Sequence, residues 1–492
     1  MKKRILITLF LLETVSWVLI STVTQAENNP SYKPTVGLSF EVKCLSDVVS
    51  DPFTGRVSIF LTTEDDPKNP YSPRLFANFD NINSGQSMYI NERNSVSFPV
   101  ALSWFTSREY TIQAIMEWDE GKRKVSSNPK IFMVGENPFQ QISLICDKIQ
   151  GTEEKENIYK SVYSNNKYQK FFSLNSKYLS DFHKKPTNIA AIVHLPEAWF
   201  KEPERKFPVL LHNWGVEYKD EPAALVDGIP VIKIKNFITD NLCTNSENNG
   251  PVGDAFVHEL IPAIEKEFRG IGHRSARFVW GQSWGGDATI SLMVTYPDFF
   301  GYGWSGAPSN IDFRDLAGVN IYEPNINFYY DDEGFLRPVK VNEQGDPILA
   351  IRTECLQGLF KPGMWQKMEK VFSPRGHSGK PMQFWNRETG EINSNVADSW
   401  RKYDICYILR TRWDEFSPKL SGRLSVTVGL QDGYLLDNPV KLFKKEMETI
   451  GANIRVSLYP GNHRSYLTDE VFELEFKEMM KIYRKSDYYL NK

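Results

Sequence analysis

Two changes of hydrophobic period predict an α/β fold for most of this 492-residue chain: a mostly parallel sheet covered by helices, preceded by a small antiparallel β-sandwich. Three observations carry the prediction. Short alternating runs fill residues 35–136, strands alternate with helices from residue 175 onward, and a serine flanked by glycines stands between one such strand and its helix.

The elements follow in order. Lys2, Lys3 and Arg4 precede an apolar run from Ile5 to Ile20, and Thr24-Gln25-Ala26 offers small residues for cleavage, the layout of a secretory leader over 1–26. Export to the periplasm, cell surface or medium is expected. Glu13 interrupts the run, so no stable membrane insertion is expected. Over 35–136, Val36–Val42, Arg56–Leu61, Ser95–Phe98, Tyr110–Ile115 and Lys130–Val134 read as strands between turn clusters, an Ig-like sandwich. Polar, charged residues over 137–174 read as a linker. In 175–492, strands are expected at Asn188–Val193, Phe207–Leu211, Val231–Ile234, Leu424–Val428 and Ile454–Tyr459. Phe256, Leu260, Ile261, Ile264 and Phe268 recur at helical spacing over Asp254–Phe268, and a further helix is expected at Pro439–Ile450. Residues 312–404 break the alternation. They carry hairpin signals at Asn327–Phe335 and Arg387–Glu391, and read as a cap inserted between sheet elements.

Composition excludes several classes. With 58 Lys and Arg against 61 Asp and Glu, the net charge of −3 lacks the basic bias of a nucleic-acid binder, and no nucleic-acid partner is expected. The five cysteines are too widely spaced for a metal-ligand pattern or a disulfide framework. Gly301-Tyr302-Gly303-Trp304-Ser305-Gly306 matches a dinucleotide fingerprint by letter. It leads into Ala307-Pro308-Ser309 rather than a helix, so no helix N-terminus is placed for a pyrophosphate.

The chemistry lies in Gly281-Gln282-Ser283-Trp284-Gly285. It follows the apolar Phe278-Val279-Trp280 and opens a helix that Pro297 stops, the signature of a nucleophile elbow. A serine hydroxyl needs a base, and the base needs an orienting acid. Only His377 and His463 follow Ser283. His463 ends Tyr459-Pro460-Gly461-Asn462-His463, directly after a strand, whereas His377 lies in the insertion. Asp432 follows the preceding strand, and its competitor Asp437 reads as the start of a helix. The order Ser283, Asp432, His463 is that of an α/β-hydrolase triad. The amide of Trp284 is one expected oxyanion donor, and the other is placed at Trp214 or Gly215, in the loop after an early strand.

These residues resemble the esterase D and feruloyl esterase-like branch of the α/β-hydrolase superfamily. The likeness covers about 175–480, through Leu179-Ser180-Asp181-Phe182, His194-Leu195-Pro196, Phe207–His212, Asp254–Pro262 and Val371–Gly376. It implies hydrolysis of a carboxylic ester through an acyl-serine, with no cofactor, on a small-molecule or glycan ester such as a feruloyl ester. Where the family often has His-Gly, this chain has His212-Asn213-Trp214-Gly215. Two alternatives stay open: a serine peptidase on the same fold, and a secreted binding protein whose hydrolase scaffold is inactive.

Overall fold

The computed structural model describes residues 38–45, 52–62, 74–91, 96–98, 109–118, 123–133, 140–150, 160–213, 220–236, 241–357 and 363–490. The leader expected over 1–26 lies outside them. The chain divides into two compact units, one holding the residues up to Thr152 and the other those from Glu153, apart from 356–362.

The first unit contains β1 (Ser39–Cys44), β2 (Phe53–Thr62), β3 (Arg74–Ile82), β4 (Met88–Ile90), β5 (Val96–Phe98), β6 (Glu109–Trp118), β7 (Arg123–Ser127), β8 (Lys130–Met133) and β9 (Gln141–Gln150). They form one hydrogen-bonded sheet in the order β4-β1-β9-β7-β6-β2-β3-β5, with β8 also paired to β6. The six residue steps from Ile82 to Met88 reach at most about 21 Å fully extended. Six strand spacings of ~4.8 Å, about 29 Å in all, separate β3 from β4 along the ladder. The ladder therefore bends round on itself, and Phe40, Val57, Ile59, Leu75, Ile112 and Leu144 join one core inside the bend. A continuous curled ladder thus replaces the two separate sheets expected of a sandwich.

The linker expected over 137–174 is a correction. β9 completes the first sheet, with Ile142, Leu144 and Cys146 buried and alternating with exposed Gln141, Ser143, Ile145 and Asp147. β10 (Gln169–Asn175) opens the second sheet as an edge strand, mostly half-buried, which is why its residues look linker-like.

The second unit continues with β11 (Asn188–His194), β12 (Val209–Asn213), β13 (Ile232–Lys235), a two-residue hairpin of β14 (Asn245–Ser246) and β15 (Gly250–Pro251), β16 (Arg277–Gln282) and β17 (Tyr302–Gly306). The insertion carries β18 (Pro338–Val341) and β19 (Pro347–Ala350), and β20 (Leu424–Gln431) and β21 (Arg455–Asn462) follow it. Eight of these build the sheet β10-β11-β13-β12-β16-β17-β20-β21. β11 is antiparallel to both its neighbours, and every pair from β13 to β21 is parallel.

A mostly parallel sheet must be covered on both faces. On one face Val209, Leu211, Val279 and Val426 pack with Ile264, Leu292, Leu409 and Phe443 from the helices. On the other, Leu210, Phe278, Trp280 and Trp304 pack with Met479, Met480 and Tyr483 of the helix Asp469–Arg484. The helix expected over Asp254–Phe268 is present but not uniform: Ala255–Leu260 is a π-turn, and the α-helix Ile261–Glu267 follows. Pro262 has no N–H to donate and crowds the preceding turn, and the wider π register accommodates it. Of the dinucleotide-like glycines, Gly303 and Gly306 belong to strand β17 and Gly301 directly precedes it. A Cβ at Gly303 would meet Met293 Cγ at 2.4 Å, so glycine there lets the helix Trp284–Thr295 lie close on the sheet.

The insertion between β17 and β20 has its own core, including Phe313, Phe328, Trp365, Phe372, Phe384 and Trp400, and Trp284 packs against it. The first expected hairpin appears as a bridge from Tyr330 to Leu336, and Asn327 pairs with Glu391 of the second.

Candidate active site

Ser283 stands where β16 gives way to the helix Trp284–Thr295, with φ 59° and ψ −123°. A side chain held at positive φ is strained, and such strain persists only where the surroundings impose it. Three glycines impose it here. A Cβ on Gly281 would lie 2.3 Å from Gly285 O, one on Gly286 would lie 2.2 Å from Gly306 O, and one on Gly285 would lie 1.5 Å from Asn213 O. Because that last clash is with backbone, Gly285→Ala is expected to destabilise the fold by about 3 kcal/mol, measured as a lowered midpoint in urea unfolding. An unchanged midpoint would show that the elbow can relax.

The expected acid and base stand at two neighbouring strand ends. Asp432 follows β20 and is 2% exposed, with one oxygen accepting from Tyr434 N at 2.9 Å. Its other oxygen lies 2.7 Å from His463 Nδ1, in the loop that follows β21. Facing a carboxylate, Nδ1 carries the proton and Nε2 keeps its lone pair. His463 is also tied to the strand end that carries Ser283. Gln282 Nε2 donates to His463 O at 2.7 Å, and Tyr466 OH donates to Gln282 Oε1 at 2.7 Å. The backbone of His463 is thus hydrogen-bonded to the residue next to Ser283. Among the described residues Ser283 Oγ has no hydrogen-bond partner, and the side chain is half-buried.

Trp284 is the first residue of its helix, where a backbone N–H has no intrahelical acceptor. Trp214 and Gly215, named for the second oxyanion donor, lie outside the described residues. The chain leaves β12 beside the elbow, as the approach of Asn213 O to Gly285 requires. The residues set aside lie elsewhere. His377 is exposed on a turn of the insertion, and Asp437 pairs with Lys441 at 2.5 Å in the first turn of the helix Asp437–Thr449. His212 stacks on Trp280 with ring centroids 4.5 Å apart. Burial, helped by Lys233 and Lys235, pushes its imidazole down to about 3, so it stays neutral.

Sequence reasoning missed Gln282, Tyr466 and Asp287. Asp287 is 1% exposed and accepts from Ser309 N, Ser309 Oγ and Asn310 N at 2.5, 2.6 and 3.1 Å. It thereby ties the helix behind the elbow to the chain leaving β17. Burial pushes its carboxyl up to about 6, against the lowering effect of those donors and of His463. Its folded pKa exceeds its ordinary 3.8, so the folded state holds the proton more tightly. Stability should then fall as pH rises between about 4 and 6. Relative to Asp287→Asn, the wild type should lose on the order of 3 kcal/mol across that window. Urea unfolding of both proteins at pH 4 and pH 7 measures this; parallel pH curves would remove Asp287 as the cause.

Among the described residues no group of His, Cys, Asp and Glu could hold a metal ion, and no helix is long and apolar enough to cross a membrane. No family model and no curated protein matches the chain. Solved structures do match. A ferulic acid esterase is 17% identical, covers 64% of this chain and 99% of its own, with a TM-score of 0.38. A fluorophosphonate-binding serine hydrolase of Staphylococcus aureus is 15% identical over 63% of this chain and 98% of its own, TM-score 0.37. Dipeptidyl peptidase 4 of Porphyromonas gingivalis is 11% identical over 84% of this chain and 48% of its own, TM-score 0.35.

Proposed function

We propose that this protein is an exported serine esterase on an α/β-hydrolase scaffold, with the insertion as a cap, acting on a carbohydrate-linked acyl or feruloyl ester. Ser283 Oγ attacks the ester carbonyl while His463 Nε2 takes its proton. The negative charge on the carbonyl oxygen falls to the Trp284 amide and to a second amide at Trp214 or Gly215. Imidazolium then protonates the departing alcohol, and Asp432 stabilises that cation. Water, deprotonated in turn by His463, attacks the acyl-serine and releases the acid.

One observation carries the reading. The Asp432–His463 pair, 2.7 Å apart, hangs from a backbone hydrogen-bonded to the neighbour of the strained Ser283. Trp284 supports the cap reading, because the residue that follows Ser283 packs its side chain against the insertion's own core.

The test is activity-based labelling together with a substrate comparison. A fluorophosphonate probe should label the protein, and p-nitrophenyl acetate and feruloylated glycans should be cleaved while peptide anilides are not. A folded protein that takes no label would overturn the assignment, and anilide cleavage would convert it to a peptidase.

A further inference from the structure

Resting on the reading of Asp432 and His463 as acid and base, we infer that the hairpin β18–β19 of the insertion is the element that fixes their two loops against each other, with Val341 and Glu343 as its contacts. Each catalytic loop meets the hairpin one residue from its functional side chain. Beside Asp432, Gly433 O accepts from Val341 N at 2.8 Å. A Cβ at Gly433 would lie 2.9 Å from Val341 O, so the approach requires glycine. Beside His463, Asn462 Nδ2 donates to Glu343 Oε1 at 3.2 Å. Asn462 also organises its own loop, since its Oδ1 accepts from Arg464 N and Ser465 N, both at 3.0 Å. Orienting that amide therefore orients the turn that carries the base. Between the two loops, Tyr434 sets its ring edge-on to His463 with centroids 4.9 Å apart, and Lys340 Nζ lies 5.2 Å from the Tyr434 ring centre.

The hairpin is built to hold a position. At its tip Asn342 Oδ1 accepts from Gln344 N at 3.0 Å and Asp346 N at 2.8 Å, and Gly345 takes φ 89°. At its base Ile351 N donates to Arg337 O at 2.9 Å, and Arg337 Nε donates to Asn327 O and Tyr330 O at 3.0 and 2.8 Å. A self-bonded tip on an anchored base has little conformational freedom left to lose when it meets the loops. In the Asp432–His463 pair, a displacement near 1 Å costs far more rate than it costs stability.

Three variants test this: Gly433→Ala, which wedges the hairpin away; Glu343→Ala, which removes the acceptor; and Glu343→Gln, which keeps one. Two readouts are followed, the second-order rate of fluorophosphonate labelling and the low-field proton resonance between His463 Nδ1 and Asp432. Gly433→Ala should slow labelling ~10- to 100-fold and Glu343→Ala ~3- to 10-fold, with the resonance broadened in both. The apparent pKa of the labelling rate should move in these two, while Glu343→Gln stays within about twofold of wild type. Folded Glu343→Ala with wild-type rate and resonance would overturn the inference. If Gly433→Ala does not fold, the two Glu343 variants decide. The resonance needs no hydrolysis: present in a wild type that takes no label, and lost in Glu343→Ala, it would sink the esterase reading and leave the hairpin's role standing.

Discussion

Alanine in place of Ser283 should abolish fluorophosphonate labelling and lower ester turnover by ~10⁴-fold or more, leaving only what oxyanion stabilisation and binding supply. The change removes one oxygen from a half-buried position. It leaves the glycine contacts of the elbow and the Asp432–His463 hydrogen bond untouched. The variant should therefore unfold at or slightly below the wild-type midpoint, because alanine inherits the φ of 59°. Comparing label incorporation with the unfolding midpoint separates chemistry from folding. A variant that still takes the probe would place the nucleophile elsewhere.

The second large effect is expected at the acid. Asp432→Asn should lower kcat by ~10⁴-fold at neutral pH while KM changes little. An amide at this position can offer N–H rather than oxygen to His463 Nδ1, now 2.7 Å from the carboxylate. The ring then favours the tautomer with its proton on Nε2, which cannot accept from Ser283. The carboxylate is fully buried while the imidazole is 16% exposed, so solvent does not replace the lost charge on the acid side. Steady-state kinetics from pH 6 to pH 10 checks this; a loss of tenfold or less would mean that Asp432 only braces the loop.

Where the fold needs a sharp local turn, as at Ser283, the chain announces it. Ser283 was legible because flanking glycines, an apolar strand and a helix all sit within a short stretch, and His463 and Asp432 because each directly follows a strand. Legibility fails where a role depends on distant partners. Gln282 looks like an ordinary strand-end residue until Tyr466 and the His463 carbonyl close around its amide. Asp287 reads as a first-turn helix acid, and its burial depends on Ser309 and Asn310 from the chain beyond β17. β17 hides behind glycines that helix packing demands, so neither β-branching nor alternation marks it. The first unit shows the same division. Among its described strands β1, β2, β5, β6 and β8 were legible from their alternation, whereas β3, β4 and β7 were not marked and β9 read as linker; the bend that turns a single ladder round one core comes from pairing across the whole unit.

All five cysteines are buried thiols, Cys44 and Cys146 in the first unit and Cys243, Cys355 and Cys406 in the second. Burial pushes the Cys146 thiol up to about 12 and raises those of Cys243, Cys355 and Cys406 as well. Alkylating reagents attack thiolate, so these sulfurs stay silent while the chain is intact and react once it opens. Each unit thus carries its own chemical witness to unfolding, and which sulfur is alkylated first tells which unit lets go first.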